Sequence, residues 1–517
     1  MTDLDTRPSM NAPAHAALLD RLRAAPRAGS KNQALSPEAL EVVAKPAPAP
    51  VSPIVLAGFV RMGEFALIVV VGFGVFAAYG LPSEGDFWRY TGAIFSIALL
   101  SMFAFQTADI YQVQAFRGHE KQYMRLASAW SVVFLIVIGA SFFAKAGEMF
   151  SRVWIGSFYA GGLVALMASR RLLFLLVRKW TREGRLTRRT VIVGGGPSGE
   201  HIIEALRQQK DSGVKIIGLF DDRGDERSGM VCAGQRKLGI VDDLVEFGRR
   251  TRVDLVVFSL PISAEDRILL MLKKLWVLPV DIRLAAHANK LQFRPRSYSY
   301  IGSVPVLDVF DRPIADWDVV MKWLFDKLIG GLMLVCALPA MAAIALAIKL
   351  ESRGPVLFKQ KRYGFNNDLI EVYKFRSMYA EAADATANKL VTKDDPRVTP
   401  VGRFIRKTSL DELPQLFNVV LRGNLSLVGP RPHAVNAKAE ARLYDEAVDG
   451  YFARHRVKPG ITGWAQINGW RGETDTHEKI QQRVEHDLYY IENWSVLFDL
   501  YILTRTPFAL LKTENAY

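Results

Sequence analysis

Asp411 and Glu412 stand side by side in the stretch KTSLDELPQLFNVVLRGNLSLVGPRP, residues 407–432. Arg403, Arg406 and Lys407 lie just before or at its start, and Arg431 sits between two prolines at its end. Paired carboxylates among fixed cations suit chemistry on a phosphate. Ser409 and Glu412 fit the spacing of a helix capping box, Pro414 would fall in the first turn with Asp411 as the other cap, and Gly423 fits the left-handed residue that ends the helix. Either start places Asp411 near free amides and the positive end of the helix dipole, which predicts a depressed pKa and an ionised carboxylate. Such a group can attack phosphorus or hold Mg²⁺. A plain helix cap would use the same two residues. The arginines, the GPRP turn and a neighbouring apolar run favour the chemical reading.

That apolar run is Leu328 to Ile348, 21 residues without a charge. Its length suffices to cross a bilayer. Pro339 in its middle removes a backbone hydrogen bond, and both flanks are basic: Lys322 and Lys327 before, then Lys349, Arg353, Lys359, Lys361 and Arg362 after. A crossing would send one cluster outside. A re-entrant helix that breaks at Pro339 and returns keeps both inside, provided the freed carbonyls find partners. VLFKQKRYG and LIEVYKFRSM then read as two antiparallel strands joined by a Gly-Phe-Asn-Asn turn.

Four further apolar segments lie upstream, at 63–82, 89–107, 126–145 and 152–177, each near the ~20 residues of a membrane span. Their outer loops carry Glu84, Asp86 and Glu148. The middle loop carries Arg117, Lys121 and Arg125, and residues 170–189 hold Arg170, Arg171, Arg178, Lys179, Arg182, Arg185, Arg188 and Arg189 against Glu183. The positive-inside rule puts both ends and the middle loop in the cytoplasm, and so predicts a membrane protein with both ends of this region on the cytoplasmic side. Residues 1–54, rich in Ala, Pro and Arg, read as a disordered tail without a signal peptide.

The composition agrees with a lipid-facing protein. Half of the 517 residues are hydrophobic and the net charge is +14, with a mean hydropathy of +0.10. Because the charge borders apolar segments, anionic lipid head groups are favoured over nucleic acid as its partner. Cys232 and Cys336 lie far apart and give no disulfide framework or zinc site.

Between these regions, residues 190–300 alternate strands and helices. TVIVGG, VKIIGLFDD, VDLVVFSLP and VDIRLAA read as strands, with helices over 198–209 and 264–275. Gly194, Gly196 and Gly199 follow the first strand as G-x-G-x-x-G, and Asp221 or Asp222 ends the second. This is the setting of a Rossmann-like nucleotide-binding domain, although the glycines could serve the tight turn alone. No Tyr-x-x-x-Lys pair occurs, so a nucleotide-sugar dehydrogenase or epimerase would lack its usual base.

FKQKRYG, YKFRSM, the 407–432 block, KPGITGWAQINGWRG and HDLYYIENWSVLFDL occur in order over residues 317–517. In these motifs the chain resembles the bacterial sugar transferase family, the monotopic phosphoglycosyl transferases. As a whole it resembles the large subclass, which begins exopolysaccharide or O-antigen repeat units. The resemblance implies a tail (1–54), a four-helix transmembrane bundle (55–180), a Rossmann-like domain (181–305) and a mixed α/β catalytic domain (306–517). It also implies that the helix at 328–348 is re-entrant and breaks at Pro339.

The activity implied is transfer of a hexose-1-phosphate, glucose or galactose by analogy, from a UDP-sugar to undecaprenyl phosphate with release of UMP. Asp411 would be the nucleophile and Glu412 its partner at Mg²⁺ or the acceptor phosphate. Arg406 and Arg431 can each grip phosphate with two hydrogen bonds; Lys361, Arg362, Arg376 and Arg471 are further candidates for the same cationic bowl. Asp487 and Asp499, in the closing motif, are candidate metal ligands, and His486 is read as structural. The four upstream helices would anchor the chain, pair two copies in a homodimer, or contact downstream glycosyltransferases and export machinery. A non-enzymatic membrane scaffold is the remaining alternative.

Overall fold

The computed structural model describes residues 35–79, 84–111, 120–145, 149–209, 213–224, 231–261, 264–285, 299–301, 304–379, 395–432, 438–439, 442–443, 451–470 and 476–511. These residues divide into two compact units, one within 47–188 and the other made of 35–46 with 189 onward.

The first unit contains α2 (Pro53–Tyr79), α3 (Glu84–Thr107), α4 (Glu120–Phe143) and α5 (Arg152–Arg182). All four are long and apolar enough to cross a membrane. The first begins ten residues earlier than the apolar run at 63–82, because Pro53 suits a first helical turn. Their shared core is aromatic, with Trp130, Phe134, Trp154 and Phe158 buried together. Gly162 permits that contact, since a Cβ there would lie 2.4 Å from the Trp130 ring. The Arg170 guanidinium lies 2.6 Å from the Glu64 carboxylate inside this unit, which matches charge with charge where water is excluded. Arg171, Arg178, Lys179, Arg182 and Arg188 remain exposed.

The second unit starts with α1 (Pro37–Ala44). This corrects the expectation of a disordered tail through residue 54. Ser36 caps α1 and its hydroxyl donates to the Leu238 carbonyl at 2.6 Å, while Leu35 and Ala39 enter the core of the α/β domain. That domain contains β1 (Arg188–Val193), α6 (Gly196–Gln208), β2 (Val214–Phe220), β3 (Val231–Cys232), β4 (Gln235–Gly239), α7 (Val241–Arg250), β5 (Leu255–Phe258), α8 (Glu265–Leu275), β6 (Asp281–Ala285), β7 (Ser299–Ile301) and β8 (Val304–Phe310). The strand order is β3-β4-β2-β1-β5-β6-β8-β7. The centre is parallel and both edges are antiparallel, so this is a mixed sheet. β5 and the Val191–Val193 end of β1 are apolar and buried on both faces, as a parallel centre requires.

Next comes α9 (Asp316–Glu351), a single helix that continues through Pro339. No helix end marks the break expected there. Its first turns and its last are held by the same C-terminal segment. Lys322 pairs with buried Asp499 at 2.5 Å and donates to the Val428 carbonyl at 2.8 Å. Asp326 accepts from the Leu427 amide at 2.9 Å. At the other end Glu351 accepts from the Val401 amide at 2.8 Å. Phe325, Leu334, Met341 and Ile348 are buried in that segment's core, while Leu328, Leu332, Val335, Leu346 and Leu350 are exposed. Lys322 and Lys327, counted above as a basic flank, are used inside the fold: Lys327 donates to the Val419 carbonyl at 3.3 Å.

Candidate active site

β9 (Leu357–Tyr363) and β10 (Leu369–Phe375) pair antiparallel, with Arg362 opposite Ile370, Gln360 opposite Val372 and Phe358 opposite Lys374. Side chains alternate along a strand, so Arg362 and Lys374 share the face that carries buried Val372, and exposed Lys361 lies on the other. Of the expected Lys361–Arg362 pair, Arg362 alone enters the cleft, beside Lys374, Glu412, Gln415 and Arg431.

Asp411 and Glu412 occupy a single 3₁₀ turn, Leu410–Glu412. Ser409 before them is left-handed (φ 59°) and its side chain makes no cap bond, so the expected capping box does not form. α10 (Gln415–Phe417) follows and widens at once into a π turn, Asn418–Arg422, closed by Gly423 at φ 66° as its sequence predicts. Asn418, fully buried, fixes this segment. Its Oδ1 accepts from the Tyr373 amide at 2.9 Å and its Nδ2 donates to the Glu371 carbonyl at 2.7 Å. The Asp-Glu turn is thereby set against β10, with Leu416 and Val419 in the core.

Glu412 lies between two cations: its Oε1 accepts from Lys374 Nζ at 2.8 Å and from Arg431 Nη2 at 2.7 Å. Arg431 is placed by the parallel pairing of β11 (Ser426–Val428) with residues 460–462. A Cβ at Gly460 would lie 2.1 Å from the Gly429 amide, so this close approach requires glycine. The Arg431 carbonyl accepts from Arg454 at 2.6 Å, and Arg454 pairs with Asp487 at 2.7 Å. Arg362 donates to the Pro432 carbonyl at 3.1 Å, which ties the hairpin to the same turn.

Asp411 is half-buried. Burial pushes its carboxyl above the ordinary range; Lys374 opposes this most, Glu412 adds to it, and Arg406 and Arg431 lower it again. The net direction is upward, which corrects the expected depression. One 3₁₀ turn offers little of the dipole that a long helix would supply.

Arg376, Asp487 and Asp499 fall outside this cluster. Arg376, 4% exposed, donates to the carbonyls of Ser352 (2.9 Å) and Arg353 (2.8 Å) and so closes the C-terminal end of α9. Asp487 is buried against Arg454, whose charge it balances. Asp499 accepts from Lys322, from the Tyr490 hydroxyl at 2.7 Å and from Trp494 at 3.2 Å. Among the described residues no three His, Cys, Asp or Glu side chains gather as a metal site. Arg471 lies outside the described residues. Lys374, Asn418 and Arg454 are the site-forming residues that sequence reasoning missed. For Lys374 the signal was available, because it lies two residues from apolar Val372 on one strand face.

At the glycine-rich loop, Gly194 (φ 99°) and Gly196 (φ 73°) need their left-handed conformations, and a Cβ on Gly199 would lie 2.6 Å from the Gly194 carbonyl. Asp221 accepts the Gly195 amide at 2.6 Å and pairs with Arg223 at 2.8 Å, and Arg223 donates to the Gly195 carbonyl at 2.7 Å. Burial alone would raise the Asp221 carboxyl, but the Arg223 and Gly195 hydrogen bonds outweigh it and hold the pKa at about 2. Asp221 therefore fastens the loop to Arg223.

Two family models match the chain: one described as bacterial sugar transferase over residues 317–513, and one described as CoA-binding domain over residues 106–286. The chain is 36% identical over 437 residues to the UDP-glucose:undecaprenyl-phosphate glucose-1-phosphate transferase of Xanthomonas campestris pv. campestris, covering 83% of this chain and 88% of that protein. It is 35% identical over 428 residues to the protein of the same name from Escherichia coli (strain K12), covering 81% and 89%. A shorter match, 43% over 169 residues, 32% of this chain and 38% of the relative, is to a UDP-N-acetylgalactosamine-undecaprenyl-phosphate N-acetylgalactosaminephosphotransferase of Aeromonas hydrophila. With a transferase match across the segment that builds the Asp411–Glu412 cluster, and relatives aligned over most of both chains, this protein belongs to the bacterial sugar transferase family.

Proposed function

We propose that the protein transfers a hexose-1-phosphate, with glucose favoured, from a UDP-sugar to undecaprenyl phosphate, as the first step of an exopolysaccharide or O-antigen repeat unit. The observation that carries this reading is a carboxylate pair placed among Lys374, Arg362, Arg406 and Arg431. In the first step an Asp411 oxygen attacks the β-phosphorus of the donor. The bond from that phosphorus to the bridging oxygen breaks, and its electron pair leaves with UMP. A phosphate oxygen of undecaprenyl phosphate then attacks the aspartyl phosphosugar, forms the diphosphate and returns Asp411 as a carboxylate. Arg431 and Arg406 neutralise the diphosphate, and Lys374 holds Glu412 beside the nucleophile. Both full-length relatives above carry UDP-glucose in their names, which favours glucose over galactose.

Asp411 and Glu412 suit a Mg²⁺ ion that arrives with the donor, since Mg²⁺ commonly uses one or two carboxylates plus substrate phosphates. Bound there, it would neutralise charge on the diphosphate and on departing UMP. The buried, paired Asp487 and Asp499 are not used. A re-entrant placement of α9, through a bend at Pro339 in place of the break, is supported by the attachment of both its ends to one folded segment, together with an outward apolar row. The exposed cations in the C-terminal turns of α5 and just after it support a cytoplasmic face for the catalytic segment. Asp221, engaged by Gly195 and Arg223, speaks against a redox role for the glycine-rich loop.

A UMP-release assay with undecaprenyl phosphate, Mg²⁺ and a panel of UDP-sugars tests the proposal. UMP released with UDP-glucose supports it. No UMP from any UDP-sugar, in membranes that hold the folded protein, refutes it.

A further inference from the structure

The turn of the β9–β10 hairpin, Phe365–Asn367, holds two successive non-glycine residues in the left-handed region, Asn366 at φ 52° and Asn367 at φ 63°. Asn tolerates that conformation in tight turns, and both side chains reach outward to partners. One partner is the α/β domain. Asn366 Nδ2 donates to the Gly248 carbonyl at 3.0 Å, one of the last carbonyls of α7, which have no partner within their own helix. The Arg249 guanidinium lies 4.8 Å from the centre of the Phe452 ring. Phe452 and Tyr363 meet edge to face at 6.5 Å, and Tyr363 also packs on His455, which touches Asn367. The hairpin end is thus gripped between α7 and the segment Tyr451–Arg456, and the gripped Tyr363 is the next residue after Arg362 on β9. The far end of α7 is capped by Asp222, which accepts the Val241 amide at 2.8 Å.

We propose that the α/β domain positions the catalytic hairpin: α7, through Gly248 and Arg249, clamps the turn at Asn366 and thereby sets Arg362 and Lys374 against Glu412 and Arg431. Asn366 and Arg249 are positioning residues, since neither lines the cleft. The kinetic arm of the test rests on the proposed UMP-releasing reaction; the exchange arm does not.

The test uses the full chain in detergent or lipid discs with two single variants and their combination. Asn366→Gly removes the amide while keeping the left-handed conformation easy, so the fold is retained. Arg249→Gln removes the cation from the opposite side. Each variant speeds amide hydrogen exchange over residues 357–375 and leaves exchange in α9 and α2 to α5 unchanged. Each raises KM for UDP-glucose roughly fivefold, the size of one lost net hydrogen bond for Asn366 and of one cation–π contact for Arg249, with a smaller change in kcat. The double variant is no worse than the poorer single one, because both loosen one clamp. Unchanged exchange in either variant, or faster exchange with an unchanged KM, overturns the proposal. If the wild type releases no UMP, the proposed reaction fails, and the clamp then stands or falls on the exchange over 357–375 alone.

Discussion

Lys374 and Glu412 meet at 2.8 Å from opposite sides of the cleft, one on a strand and one on a single helical turn. The pair is only partly exposed, and it brings a positive charge beside Asp411. Burial works against ionising Asp411, and Lys374 is the largest influence in the other direction.

Replacing Lys374 therefore alters pH dependence as well as rate. On the proposed mechanism Asp411 must be ionised to attack, so UMP release rises with pH through its pKa, which lies above the ordinary aspartate value of about 4. In Lys374→Gln that acid limb moves to higher pH and the rate at neutral pH falls roughly tenfold to a hundredfold. Lys374→Arg recovers most of both. Glu412, Arg406 and Arg431, the other charges facing Asp411, are unchanged in these variants. Stopped assays of UMP release from pH 4 to 9 provide the profile.

Asp411 also bears on stability. Its folded pKa is raised, so between the unfolded and folded values the unfolded chain binds fewer protons, and stability falls as pH rises through that window. Above it, the ionised carboxylate costs stability. Asp411→Asn removes this cost. Thermal melts should place the variant above the wild type at pH 7.5, with the gap closing toward pH 4.

Much of this was legible in the sequence. Continuous apolar runs gave away the helices and the central strands, and Gly423 ended its helix as its type predicts. VLFKQKRYG and LIEVYKFRSM read as antiparallel strands and form the hairpin, but the face shared by Arg362 and Lys374 was not read from them. What escaped was set by distant partners. Ser409-x-x-Glu412 reads as a capping box, yet Glu412 turns to Lys374 and Arg431, which lie 38 and 19 positions away in the chain. Arg376 reads as a phosphate clamp because neither its neighbours nor its spacing reveal the helix end that it closes. Asp487 and Asp499 read as metal ligands because their cations, Arg454 and Lys322, come from elsewhere.

Arginines with different partners should fail differently. Arg431→Lys replaces a fork that can grip two phosphate oxygens with a point charge, so the KM for donor rises roughly tenfold while the melting temperature stays near that of the wild type. Arg376→Gln leaves buried carbonyls at the end of α9 without their donor and costs about 2 kcal/mol of stability. Its donor KM at a permissive temperature is unchanged. Kinetics and melts run side by side separate the two.

Asp487→Asn breaks a buried pair with Arg454 and should cost about 3 to 5 kcal/mol. The Mg²⁺ concentration giving half-maximal UMP release should not change in whatever protein remains folded. A rise in that concentration would return Asp487 to the metal site.

The central claim is that Asp411 carries the sugar phosphate between donor and acceptor. Wild-type protein incubated with UDP-glucose and Mg²⁺ in the absence of undecaprenyl phosphate, quenched and digested, should yield the peptide containing Asp411 with one hexose phosphate added. Undecaprenyl phosphate should discharge that adduct, and Asp411→Asn should form none and release no UMP. Sustained UMP release by Asp411→Asn, or an adduct on another residue, would contradict the account.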